Sequence, residues 1–213
     1  MTEYLVPAGP GEGELVEKRS RFIGQVWLVE SEEAARACIE AARKRHYDAR
    51  HHCWCWRLKD GPERYSDDGE PQGTAGQPML NVFQREDITN VCCVVTRYFG
   101  GILLGAGGLV RAYGQAAKLA LDAAGVCVVR RWAEVTVPCP YALFERVRQE
   151  VETAGGVLGE MEYAADVTVR ALLPEGAVEA FSARITELTA GGVCVAVTGE
   201  QFWGVPRKNV NKS

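Results

Sequence analysis

Three stretches carry residue types that could do chemistry. Positions 66–78 read SDDGEPQGTAGQP and set Asp67, Asp68 and Glu70 within four residues. Carboxylates at that density could hold a divalent cation through oxygen ligands or take part in acid/base steps. Neither reading is specific, because no calcium-loop spacing, second carboxylate cluster or clear nucleophile accompanies them. A structural reading competes. Thr74 and Gln77 match the Ser/Thr-x-x-Gln capping box, with Pro78 in the first turn of a helix that GTAGQP would begin.

The second stretch, RYFGGILLGAGGLVRAY at 97–113, holds Gly100, Gly101, Gly105, Gly107 and Gly108 between a strand-like run and a helix. Unobstructed backbone N–H groups at such a helix start form an anion site. Tight turning or close helix-to-sheet packing would equally call for glycine. The order GGxxxGxGG is neither the dinucleotide GxGxxG nor the GxxxxGK[ST] phosphate loop, so nucleotide hydrolysis is not expected. Along the helix, Val110, Tyr113 or Gly114, Ala117 and Leu121 fall on one stripe and Arg111, Gln115 and Lys118 on another. The second stripe gives a basic face rising from the glycine loop, with Arg97 and Tyr98 as neighbours. Arg111 could instead be an internal partner of Asp68 or Glu70.

The third stretch is RHHCWCWRL. Strand alternation sends His51, Cys53 and Cys55 to one face and His52, Trp54 and Trp56 to the other. One imidazole and two thiols could begin a zinc site. Three neighbours on one face of one strand converge poorly on a single ion, however, and no second pair follows at ligand spacing. Buried strand residues are the expectation, with no metal and no cofactor.

The elements that must position these residues follow from periodicity. GELVEKRS and RFIGQVWLVE read as strands. SEEAARACIEAARKRH reads as a helix with Ser31 as N-cap, acidic residues in its first turn, and Arg43, Lys44 and Arg45 in its last. That basic cluster is expected to serve the helix end. HHCWCWRL is a strand, TAGQPMLNVFQRE a helix, DITNVCCVVTRYF a buried strand, and GAGGLVRAYGQAAKLALDAAG a helix closed by Gly125. GVCVVRRWAEV is a further strand. From Glu134 onward the order spells β-α-β-β-α-β, the ferredoxin-like split βαβ.

Composition bounds the class. The 213 residues are 47% hydrophobic, enough for a sizeable core in one or two domains. No apolar run spans a membrane and no secretory pattern opens the chain, so a cytoplasmic protein is expected. A net charge of −4 gives no general attraction for nucleic acid, and any such binding needs a local basic patch. The eight cysteines suit free thiols without disulfide partners.

RYSDDGEPQGTAGQPML together with VVTRYFGGILLGAGGLVRAYGQA resembles the signature region of the YigZ/IMPACT family, and the split βαβ half resembles the C-terminal domain of its bacterial members. The resemblance implies an α+β protein of two domains. Residues 1–133 would be similar to ribosomal protein S5 domain 2. Residues 134–205 would be a ferredoxin-like domain similar to the last domain of elongation factor G, with a polar tail at 206–213. Eukaryotic IMPACT proteins regulate translation by interfering with activation of the amino-acid-starvation kinase. They do so partly through an RWD domain with no counterpart in this sequence, so that partner is not carried over.

His51 and Cys53 match the family's His-x-Cys, and Asp67, Asp68, Gly69 and Glu70 match its acidic loop. Arg97, Tyr98, Gly100, Gly101, Gly105, Gly107, Gly108, Arg111 and Tyr113 match its glycine motif, whereas His52 stands where the family often has asparagine. The reading favours a non-enzymatic binding protein acting on RNA, the ribosome or a translation-associated protein through the glycine loop and basic helix. The alternative is an enzyme for a small phosphorylated or peptide substrate, using Asp67, Asp68 or Glu70.

Overall fold

A computed structural model describes residues 3–206. Of the expected polar tail at 206–213, only Pro206 falls within the described residues. These residues make an α+β protein with two sheets and five α-helices. The chain divides into two compact units, one holding Tyr4–Val128 and the other Val129–Trp203.

In the first unit the sheet order is β2(Gly11–Glu17), β3(Ser20–Leu28), β6(Val91–Tyr98), β4(His51–Arg57), β5(Glu63–Ser66), with every neighbouring pair antiparallel. β6 lies at its centre, which explains its unbroken apolar run. Cys93 and Val95 face a core shared with α2(Gly76–Arg85) and α3(Ala106–Ala124), while Cys92 and Val94 face α1(Glu32–Arg45). The Ser31 hydroxyl accepts from Ala34 N at 3.1 Å and starts α1 as expected. β2 and β3 are joined by Lys18 and Arg19, both at positive φ (46° and 63°), the conformation a two-residue hairpin turn requires. Both expected strands are present, and the turn between them falls within GELVEKRS, so that Ser20 already belongs to the second.

α3 lies directly on β2 and β3 because small residues meet there. A Cβ added at Gly24 would sit 2.3 Å from the Ala116 carbonyl oxygen, and one at Gly11 2.3 Å from that of Ala120. The buried stripe of α3 is Leu109, Ala112, Tyr113, Ala116, Ala117, Ala120 and Leu121. Val110, expected on that stripe, is exposed. The stripe is displaced because the sheet is approached through alanines one position removed.

The second unit runs β7(Val126–Cys139), α4(Tyr141–Thr153), β8(Val157–Tyr163), β9(Val167–Pro174), α5(Val178–Leu188), β10(Ala196–Pro206), with β7 between β10 and β9 and β8 outside β9. Val147 and Val151 of α4 and Phe181 and Ile185 of α5 share its core with the alternating Val135, Val137, Val167 and Val169. β7 is one continuous strand of 14 residues where the sequence reads as two. The short strands β1(Tyr4–Pro7) and β5 were not expected at all. No helix among the described residues is long and apolar enough to cross a membrane.

Candidate functional site

The acidic loop is held by its own carboxylates. Asp67 Oδ1 accepts from the backbone N–H groups of Ala75 (3.0 Å) and Gly76 (2.9 Å), and its Oδ2 accepts from Gly73 N (2.8 Å). This corrects the expected capping box. α2 begins after Ala75 without a side-chain cap from its neighbours, and Thr74 Oγ1 donates to Pro71 O at 2.6 Å instead. An ionised carboxylate is the stronger acceptor for N–H groups at the positive end of a helix, so the distant aspartate displaces the local hydroxyl.

Asp68 and Gly69 turn the chain at positive φ (42° and 86°), a conformation aspartate tolerates better than most residues. The Asp68 carboxylate accepts from His52 N at 2.7 Å and from Arg43 Nη2 at 3.3 Å. Glu70 is buried. Its Oε1 accepts from Arg97 Nη1 at 2.6 Å and from the Tyr113 hydroxyl at 2.8 Å, with the side chains of Glu70 and Arg97 only 5% and 7% exposed. Arg97 also donates to Ser20 Oγ at 3.4 Å, and that oxygen accepts from Gly100 N at 3.2 Å. The internal cation facing the acidic loop is thus Arg97, with Arg43 beside Asp68. Arg111 does not fill that role.

His51, Cys53 and Cys55 are not brought together as ligands. Among the described residues no group of three His, Cys, Asp or Glu side chains is arranged to hold a metal ion. Cys53 Sγ donates to Asp67 O at 3.0 Å, and Cys55 lies opposite Cys93 in the sheet register. Burial pushes both thiols far above their ordinary range, so neither supplies thiolate. Tyr113 is likewise raised, first by burial and then by Cys53 and Glu70 beside it, and it serves as a hydrogen-bond donor.

The glycine loop and the acidic loop meet at one cleft of ≈350 Å³, whose lining includes Arg50, His51, Glu70, Arg97, Phe99 and Leu103. Sheet register sets His51 directly opposite Arg97. Gly105, at φ 71°, precedes the first residue of α3 and also lines the cleft. The first hydrogen bond of α3 runs from Leu109 N to Gly105 O at 3.0 Å, so residues 106–108 present N–H groups with no intrahelical carbonyl. A Cβ at Gly107 would lie 3.6 Å from Arg111 Nη1, which puts that guanidinium over the first turn. Arg50 and Arg111 are exposed and form no ion pair among the described residues. Phe99 is 52% and Leu103 82% exposed, and the Phe99 ring lies 5.5 Å from the Arg97 guanidinium carbon.

Other residues of the expected basic face are engaged elsewhere. Lys118 Nζ pairs with Glu86 (2.7 Å) and Asp122 (2.6 Å), and the Tyr98 hydroxyl donates to Asp48 at 2.9 Å. Gly100 is fixed by packing, because an added Cβ would lie 2.0 Å from the Arg19 carbonyl carbon. Gly101 takes φ 82°, and Gly108 packs on Leu104. Phe99, Leu103 and Arg50 were missed as lining residues. An aromatic side chain beside paired glycines at a strand end was the available signal.

Comparison with known proteins gives two family matches: "Impact N-terminal domain" over residues 18–121 and a domain of unknown function, DUF1949, over residues 137–191. The chain is 37% identical over 190 residues to "IMPACT family member YvyE" of Bacillus subtilis, covering 88% of each. It is also 37% identical over 198 residues to "IMPACT family member YigZ" of Escherichia coli, covering 91% of this chain and 97% of that one. A solved structure titled "Crystal structure of an hypothetical protein" is similar at a TM-score of 0.58 and 36% identity, covering 93% of this chain and 98% of that one.

Proposed function

The chain belongs to the IMPACT family, and from that premise we propose that it is a non-enzymatic cytoplasmic protein of translation that binds single-stranded RNA at the cleft between its acidic and glycine loops. The observation that carries this is an exposed guanidinium without an ion pair, Arg50, lining the cleft together with the start of α3 and the exposed ring of Phe99, and a second, Arg111, over the first turn of that helix. A phosphate would sit on the N–H groups and Arg111. A base would stack on Phe99, a contact worth about 1–3 kcal/mol where it has been measured by alanine substitution. With a net charge of −4 over the whole chain, RNA would be drawn to this locality and not to the surface at large.

The acidic loop supports a non-catalytic reading. Asp67 is used by the start of α2, Asp68 by His52 and Arg43, and Glu70 by Arg97 and Tyr113, so these carboxylates are committed to shaping the cleft. The strand order around β7 supports assigning the second unit to the ferredoxin-like class of elongation factor G domain V, and we assign the first to the S5 domain 2-like class. Eight free cysteines fit a reducing compartment.

Fluorescence anisotropy with a short single-stranded RNA, titrated across salt, tests the reading. Arg111→Ala should weaken binding and flatten the salt dependence by about 0.7 in log–log slope, the value for one phosphate on a single strand. Stability should stay within about 0.5 kcal/mol of wild type, as for exposed substitutions. An unchanged slope, or no RNA binding by the wild-type protein, refutes it.

A further inference from the structure

His51 holds a hydrogen-bond acceptor in the cleft that no internal contact uses. Its Nδ1 lies 2.8 Å from the carbonyl oxygen of Asp68. A carbonyl can only accept, so Nδ1 carries the proton, and in the neutral ring Nε2 presents its lone pair. Nε2 has no hydrogen-bond partner among the described residues and is not among the buried, sealed polar atoms. The ring is held in place. The Asp68–Gly69 turn that supplies the carbonyl also packs against it, with an added Cβ on Gly69 falling 3.5 Å from Nδ1 and Cε1. The β4–β6 register fixes its position along the sheet opposite Arg97.

The rest of the cleft's polar surface differs in kind. Arg50, which lines the cleft, and the first N–H groups of α3, over whose first turn Arg111 lies, are donors suited to phosphate oxygens. Glu70 Oε1 is already taken by Arg97 and Tyr113, and its Oε2, the cleft's other acceptor, belongs to a carboxylate that repels phosphate and is held back by that pairing, which leaves His51 Nε2 as the neutral acceptor. A ligand that sets its phosphates on the donors and also carries a hydroxyl donor within one sugar of a phosphate would use both sets. The ribose 2′-hydroxyl is that group, and it is what separates RNA from DNA. The cavity of ≈350 Å³ lies at the small end of ligand sites, which run from about 300 to 1,000 Å³, and suits one nucleotide of a flexible strand.

We propose that His51 is the specificity-determining residue of this cleft, accepting a hydrogen bond from a ribose 2′-hydroxyl through Nε2 and thereby selecting RNA over DNA. This rests on the RNA-binding reading above. The tautomer is set from the acidic loop, so Asp68 acts through its backbone as the positioning residue.

The experiment compares three oligomers of one sequence on the full chain at fixed salt: RNA, DNA, and RNA 2′-O-methylated throughout. Wild type should bind RNA about five- to tenfold more tightly than the other two, the ratio a single hydrogen bond supplies. His51→Phe should lower RNA affinity to the DNA level and leave DNA affinity unchanged. His51→Gln, which keeps an acceptor, should retain part of the preference. Equal binding of all three oligomers by wild type overturns the inference without any mutant, as does an unchanged RNA/DNA ratio in a folded His51→Phe protein. Failure of wild type to bind any oligomer refutes the underlying reading instead.

Discussion

Removing the Glu70 carboxylate tests whether the acidic loop is built into the core. In Glu70→Ala the Arg97 guanidinium, 7% exposed, loses its 2.6 Å partner, and the Tyr113 hydroxyl loses its 2.8 Å acceptor. What stays with Arg97 is a long bond to Ser20 Oγ at 3.4 Å and the rings of Phe22 and Phe99, while its Nε already lacks a partner. An uncompensated buried charge of this kind costs about 3–5 kcal/mol, and an orphaned hydroxyl about 1–3 kcal/mol. Water entering from the adjoining cleft offsets part of the sum. The expected loss is therefore about 3–5 kcal/mol, read as a lowered urea midpoint at unchanged m. Replacing both partners, as in Glu70→Leu with Arg97→Met, should recover most of it, because a well-packed apolar pair dispenses with the desolvation of two charges. A Glu70→Ala protein within about 1 kcal/mol of wild type would refute the buried-pair account, since that is what an exposed salt bridge contributes. A double variant no more stable than the single one would show that side-chain shape, and not charge, holds the loop.

Asp67→Ala should cost about 1–2 kcal/mol by leaving the α2 start uncapped, measured by the same unfolding titration, whereas Asp67→Asn should retain much of the wild-type stability. A fragment beginning at Arg131 and ending at Pro206 should fold cooperatively alone, because its valine core draws on its own strands and helices. A molten fragment, with helical far-ultraviolet but no near-ultraviolet circular dichroism, would count against an independent second domain near the 133/134 boundary.

The elements were legible where local signals agree. Ser31 followed by two glutamates gives α1, the apolar run of β6 announces a strand buried on both faces, and Gly125 closes α3 where its sequence says it should. The site was legible only in part, because its decisive bonds join residues far apart in the chain. Glu70 and Arg97 are 27 positions apart and read as members of an open acidic loop and of a basic anion-binding face, yet the fold pairs them and buries both side chains. Thr74 satisfies a local capping rule, and Asp67 displaces it from seven residues upstream through a turn no pattern specifies. Lys118 lies on the same helical stripe as Arg111, but two acidic neighbours claim its ammonium. Periodicity reports which face a residue occupies and not what waits there.

The contact of α3 with β2 and β3 also has a kinetic consequence. Glycines at 11, 13 and 24 leave the helix backbone in touching distance of the strands, so the helix has no slack in which to slide or tilt. If its first turn, with the open N–H groups and Arg111, receives the ligand as proposed, that receptor is preorganised and its ordering was completed when the protein folded. Binding at such a rigid edge should appear as a single concentration-dependent step, with no slower isomerisation following encounter. Sequence variants in the cleft should then differ chiefly in how long the ligand stays and much less in how fast it arrives.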